Sequence, residues 1–114
     1  MAIERHGTTQ RHSDVCAYSN TIYLVERPQT LDANVATQTR EVLAGIEQLL
    51  AQAGSDKTRL LMVTIYLRDI EDAVAMNAIW DAWLPCGSAP ARVCIEANLR
   101  HHDFLLEVAV IAAR

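Results

Sequence analysis

Apolar residues begin to alternate with polar ones at Val15. Val15 and Ala17, then Ile22 and Leu24, lie two apart on either side of Ser19-Asn20, which predicts a β-hairpin over residues 15–25. Pro28 stops the second strand because it brings no N–H to a ladder. The period then changes: Val35, Val42, Leu43, Ile46, Leu49, Leu50 and Ala53 recur at helical spacing, with Asp32 or Asn34 as the cap and Gly54 at the end. From Leu60 to Leu67 the chain is apolar at almost every position, the pattern of a strand covered on both faces. A second helix, opened by Asp69 or Asp72 and ended near Pro85, gathers Ala73, Met76, Asn77, Trp80, Trp83 and Leu84 on one side. A loop over 86–90, a strand over 92–99, a polar turn over 100–103 and an apolar strand over 104–112 complete the chain. Residues 1–14 are polar and mixed in charge, and read as an irregular solvated leading segment ahead of a domain at 15–114.

The predicted order is ββαβαββ, an α+β pattern. Right-handed crossovers place both helices on one face of the sheet, yet the strands at 60–67 and 104–112 are apolar on both faces. Two helices cannot cover two faces. Large apolar patches are rarely left in water, so the second face is expected to be buried against other copies of the chain.

Composition narrows the function classes. With 51% of 114 residues hydrophobic, the chain can bury a core without disulfide or metal staples, and disorder is excluded as its main state. No stretch reaches the ~18 consecutive apolar residues of a membrane span, and residues 1–14 lack the basic-then-apolar order of a signal peptide; the expected compartment is the cytoplasm. Ten Lys+Arg against fourteen Asp+Glu give a net charge of −4, and the basic residues are scattered, which argues against binding nucleic acid through its phosphates. Cys16, Cys86 and Cys94 are an odd set with no CxxC pair, so reduced thiols are expected rather than a disulfide framework or zinc site.

Two charged residues interrupt apolar strands. Arg92 follows Pro90-Ala91 and precedes Val93-Cys94-Ile95. A guanidinium there can hold a carboxylate through two parallel hydrogen bonds; the alternative is a structural ion pair or a surface position. Glu107 lies between Leu105-Leu106 and Val108–Ile111. A part-buried carboxylate can orient water or act as a general base, or can form a salt bridge across strands or subunits. Glu96 shares a face with Arg92 and Cys94 by alternation, Glu26-Arg27 can be a solvated pair, and Cys94 reads as a small core residue. His101 and His102 are adjacent and would point apart on an extended segment, so they read as a polar turn. Trp80 and Trp83, at helical spacing, read as core or interface.

Taken in order, Gln38-Thr39-Arg40 leading into Val42-Leu43, then Thr64-Ile65-Tyr66-Leu67 with Asp69, Met76–Trp80, Pro90-Ala91-Arg92-Val93-Cys94 and Glu107-Val108-Ala109-Val110 resemble the Rid family, the YjgF-like or L-PSP endoribonuclease-like proteins. The resemblance covers residues 15–114. It implies a chorismate-mutase-like fold assembled as a homotrimeric barrel, with a cleft at each subunit interface. It implies that Arg92 binds a substrate carboxylate, that Glu107 orients water, and that the backbone at Cys94 lines the same pocket. The implied reaction is hydrolysis of a 2-imino or 2-enamino acid to a 2-keto acid and ammonia, without metal or organic cofactor. Where family members carry a small residue followed by Gly-Gln at the end of the second strand, this chain reads Val25-Glu26-Arg27-Pro28. Glu26 and Arg27 therefore become candidate substrate contacts, with Glu26 bringing an extra carboxylate toward the pocket. Two other functions stand beside deamination: a non-catalytic carboxylate-binding trimer, and an endoribonuclease, which the acidic balance and the lack of a spaced histidine pair disfavour.

Overall fold

The computed structural model describes residues 2–114; Met1, part of the leading segment, lies outside them. Six strands and two helices follow one another as β1 (Glu4–His6), β2 (Val15–Tyr18), β3 (Thr21–Glu26), α1 (Val35–Gln52), β4 (Leu60–Leu67), α2 (Ala73–Trp83), β5 (Ala91–Glu96) and β6 (Leu106–Ala113). The strands form one sheet in the order β1-β2-β3-β6-β4-β5. Every neighbouring pair is antiparallel except β4 with β5, which is parallel. This is a mixed α+β fold, with one strand more than the pattern predicts. Glu4–His6 pair with Val15–Ala17, so part of the leading segment is a strand rather than irregular chain. All three of its residues are exposed, and an edge strand without an apolar face leaves no period-two signal in the sequence.

Helix and strand ends follow local chemistry. The Asn34 side chain accepts a hydrogen bond from the Thr37 N–H and caps α1, while Gly54 just beyond its end has φ of +83°. Asp69 caps a short 3-10 turn over Ile70–Asp72, which runs directly into α2. Ser19 takes φ of +57° in the β2–β3 turn. The strand expected at 92–99 closes at Glu96, and the one expected from 104 begins at Leu106. The intervening segment is tied down by Arg68, which donates to the carbonyls of Leu99, His101 and Phe104 and so replaces ladder bonds there.

Because β3 and β4 both run antiparallel to β6, they are parallel to each other. The β3–α1–β4 and β4–α2–β5 connections are therefore crossovers, which place both helices on one face. Val15, Ala17, Ile22, Leu24, Val63, Ile65, Leu67, Leu106, Val108, Val110 and Ala112 point into that helix-covered face and are buried with Val42, Leu43, Ile46, Leu50, Met76 and Trp80. The opposite face carries Cys16, Tyr23, Met62, Thr64, Tyr66, Ala109 and Ile111, which the single chain leaves part-exposed or exposed. A bulge at Leu60–Met62 lets Leu60 keep to the core face although Leu61 intervenes.

One polar side chain belongs to the core. Gln38, 0% exposed, donates through Nε2 to the carbonyls of Thr30 and Asp103 and accepts from the Leu105 N–H. It thus fastens α1 to the loop after β3 and to the segment entering β6. Replacing it by leucine keeps the bulk but leaves the part-buried carbonyls of Thr30 and Asp103 and the Leu105 N–H without this partner, each worth about 1 kcal/mol. Gln38→Leu is expected to lose about 3 kcal/mol in urea unfolding, and a loss below about 0.5 kcal/mol would show that these bonds are dispensable.

Candidate functional site

The charged interruptions in β5 and β6 are positioned by strand alternation. Arg92 stands opposite Val63, a core-facing residue, so its side chain points to the helix-covered side. Glu107 stands opposite Tyr66 and points to the open side. Within one chain the two therefore lie on opposite faces of the sheet, roughly 10 Å apart along β4.

At the sheet edge, Arg92 lies over α2 rather than in an ion pair. Its Cζ is 5.0 Å from the Trp80 ring centroid, and its Nη1 is buried with no hydrogen-bond partner. No salt bridge joins it to a described residue. A buried guanidinium donor without an acceptor costs free energy unless something else supplies one. Asn77, one helical turn before Trp80 on α2, has a buried Oδ1 in the same condition. The sequence marked Asn77 as part of the helix's buried side and of a family-like block, with no role of its own; an amide in an otherwise apolar stripe is the signal that could have singled it out.

Cys94 lies two residues on from Arg92, packed against the core. Burial raises its thiol pKa and the Arg92 charge lowers it by less, so the group stays a thiol and not a nucleophilic thiolate. Glu96 faces the same way and accepts from the Ile70 N–H, a structural duty. Since β5 is an edge strand, one side of its backbone at Cys94 has no strand neighbour and can receive hydrogen-bonding groups from outside the chain.

On the open face, Glu107 lines a cavity of about 450 Å³ with Val25, Tyr66, Asn98, Arg100 and Ala109. It too forms no salt bridge with a described residue, so the cross-strand ion pair is not what holds it. The cavity offers a carboxylate, a phenol, an amide and a guanidinium on an apolar floor.

Glu26 and Arg27 line a different, smaller cavity of about 190 Å³ against α1, with Gln29, Glu41 and Gln48. Glu26 pairs with Val108 on the core-facing side, and β3 is separated from β5 by β6 and β4, about 14 Å away. Within the single chain Glu26 thus faces α1, and alternation gives the place toward the Glu107 cavity to Val25. Glu26 fits against the helix because position 45 is glycine; a Cβ there would collide with Glu26 Oε2. Burial raises the Glu26 pKa above its usual 4.5, opposed by the hydrogen bond from the Arg27 N–H, reinforced by Asp14 and again opposed by Arg27.

His101 and His102 do not point apart: their rings stack at 5.0 Å and 15° because the segment is a turn, not an extended strand. His101 Nδ1 accepts from the Asp103 N–H and neither ring lines the Glu107 cavity, so the pair remains a polar turn. Among the described residues there is no cluster of three or more His, Cys, Asp or Glu able to hold a metal, and no helix long and apolar enough to cross a membrane.

The sequence profile of the family described as Endoribonuclease L-PSP matches residues 5–114. The chain is 40% identical over 113 residues to the RutC family protein YoaB of Escherichia coli, covering 99% of each. A YjgF-family protein from Neisseria meningitidis superposes with a TM-score of 0.93 at 40% identity, over 100% of this chain and 96% of that one. A protein from Pseudomonas aeruginosa superposes with a TM-score of 0.96 at 35% identity, over 99% of both. The chain belongs to this L-PSP, YjgF or RutC family, the one its Pro-Ala-Arg block and terminal glutamate strand resemble.

The Glu26–Gly45 fit has a pH signature. A carboxyl with a raised folded-state pKa destabilises the fold when ionised, and this cost vanishes as pH falls through the folded value to below the usual 4.5. Glu26→Gln is therefore expected to be more stable than wild type at pH 7, with the gain gone below about pH 4.5. Gly45→Ala is expected to push the carboxylate into solvent and return its pKa, followed by carboxyl NMR, to the usual range; an unchanged pKa would refute the packing origin of the shift.

Proposed function

We propose that this chain is a deaminase of 2-imino and 2-enamino acids, working as a cytoplasmic homotrimer of chorismate-mutase-like subunits. The observation that carries the reading is the Arg92 guanidinium: its Nη1 is buried at the sheet edge with no acceptor, and among the described residues no carboxylate forms a salt bridge with it. A substrate carboxylate supplies what is missing, accepting the parallel N–H bonds that arginine offers. Glu107, on the other face, is equally without an ionic partner among the described residues.

A site using both residues needs two copies, because alternation keeps them apart in one. The open face provides the means. Tyr18, Tyr23, Val93 and Ile95, each more than 40% exposed, give it an apolar surface suited to another subunit. When the β5 edge of one subunit lies along the open face of the next, Arg92 and the free backbone at Cys94 face the neighbour's Glu107 cavity.

In that cleft the reaction needs little machinery. Arg92 fixes the carboxylate and thereby holds the imine carbon in register. Glu107 accepts a proton from water as its oxygen adds to the carbon of the protonated imine, giving a neutral carbinolamine. That proton passes to nitrogen to make an ammonium leaving group, and the C–N bond breaks as the hydroxyl yields its proton to Glu107 and forms the carbonyl, releasing ammonia and leaving the 2-keto acid. Glu26, turned against α1, leaves an anionic substrate unopposed on the Glu107 side.

A binding trimer without turnover shares the need for Arg92 but has no use for an unpaired Glu107, and an endoribonuclease meets a net charge of −4 with scattered cations. Imino acids generated by an amino-acid oxidase provide the test. Wild type is expected to accelerate their loss, Arg92→Ala to cut kcat/KM by roughly 100-fold, chiefly through KM, and Glu107→Gln to cut kcat by roughly 100-fold or more. Stabilisation by 2-keto acids that depends on Arg92, without any turnover, would select the binding reading.

A further inference from the structure

Helical spacing explains why Trp80 is buried, but not what its ring touches. Arg92 Cζ lies 5.0 Å from its centroid, within the roughly 6 Å over which the face of an indole attracts a cation. Trp80 is only 6% exposed, so the contact is largely shielded from water, where such attraction is stronger. Among the described residues Arg92 has no ion pair that could otherwise fix it.

The choice of partner has a chemical consequence. A structural carboxylate would neutralise the guanidinium and occupy the donors an incoming anion needs. A ring face attracts the charge yet contains no carbonyl or carboxylate acceptor, so the N–H groups remain available. Nη1 itself is buried with no hydrogen-bond partner, so the ring stands where a structural acceptor would otherwise sit.

Trp80 is itself braced. Trp83 lies 5.5 Å away at 52°, and its Nε1 donates to Glu47 Oε1 at 2.7 Å. Lys57 reaches the same Glu47 oxygen at 3.3 Å and lies 5.2 Å from the Trp83 ring. Contacts thus run without a gap from α1 and the turn before β4, through two indoles of α2, to the guanidinium on β5.

We propose that Trp80 is a positioning residue: it holds the Arg92 guanidinium by a cation–π contact that leaves its donors free for an anionic substrate group, with Trp83 and Glu47 fixing the ring. The assignment rests on the reading of Arg92 as the carboxylate anchor.

The test uses the full chain and two independent readouts. In the ligand-free protein, the Arg92 Nε–Hε resonance, identified by its loss in Arg92→Lys, is expected to be displaced by the indole ring current and to return toward the ordinary arginine position in Trp80→Leu. Pyruvate, titrated as the carboxylate probe, is expected to bind about tenfold more weakly to Trp80→Leu and within about threefold of wild type to Trp80→Phe, which keeps an aromatic face. Should Trp80→Leu not fold, Trp83→Phe removes the Glu47 hydrogen bond without touching Arg92, and is expected to move the resonance and weaken pyruvate in the same direction. An undisplaced wild-type resonance, or pyruvate binding unchanged in Trp80→Leu or Trp83→Phe, overturns the proposal. A displaced resonance in a wild type that binds no pyruvate overturns the carboxylate reading while leaving the Trp80–Arg92 contact standing.

Discussion

Successive side chains of a strand point to opposite faces, and this sheet has helices on only one of them. Nearly everything else follows from that constraint. Both helices lie on one side, so every second residue of β4 and β6 enters a closed core while its neighbours remain uncovered. The same rule separates Arg92 from Glu107 and turns Glu26 toward α1 while Val25 takes the other side. A shift of one residue in any of these strands would exchange core for surface, so the register is strongly specified.

Two charges set in this framework without ionic partners among the described residues are a cost the fold carries. Structures seldom leave a guanidinium nitrogen buried and unpaired, since an unmet donor forfeits free energy comparable to a lost hydrogen bond. Arg92 offsets part of that through the Trp80 ring, which accommodates its charge without filling its donors. Glu26 shows the opposite arrangement: its carboxylate is satisfied by the Arg27 N–H and held against the glycine in α1, in a cavity separate from that of Glu107. The two acids differ in sequence setting by little more than their strand, but their surroundings assign one to packing and leave the other open.

The period-two and helical patterns made β2, β3, α1, β4 and α2 legible, because each has an apolar stripe long enough to reveal its period. β1 was not legible, since a short exposed edge strand has none. The ends of β5 and β6 lie short of the expected bounds because Ala97 and Leu99 before the polar turn, and Phe104 and Leu105 after it, continue the apolar pattern, while Arg68 bonds the carbonyls of this segment from the side. Of the site, Arg92 and Glu107 stood out as charges in apolar runs. Asn77 and Trp80 did not, since an amide and an indole on a buried helical stripe look like packing until their neighbours are known. Gln38 was visible only through family resemblance, although its three bonds tie α1 to two distant segments.

By itself, then, the sequence determined the α+β order, the surplus of apolar strand surface over helix cover, the family, and the two residues whose chemistry is out of place. These depend on local spacing and residue type, which a linear chain displays directly. Only the tertiary structure decided that Arg92 and Glu107 occupy opposite faces, that Glu26 belongs to α1 rather than to the Glu107 cavity, and that a tryptophan holds the free guanidinium. Those facts depend on which strands are neighbours and on their register, set by pairings such as that of β3 with β6, which joins residues more than eighty positions apart.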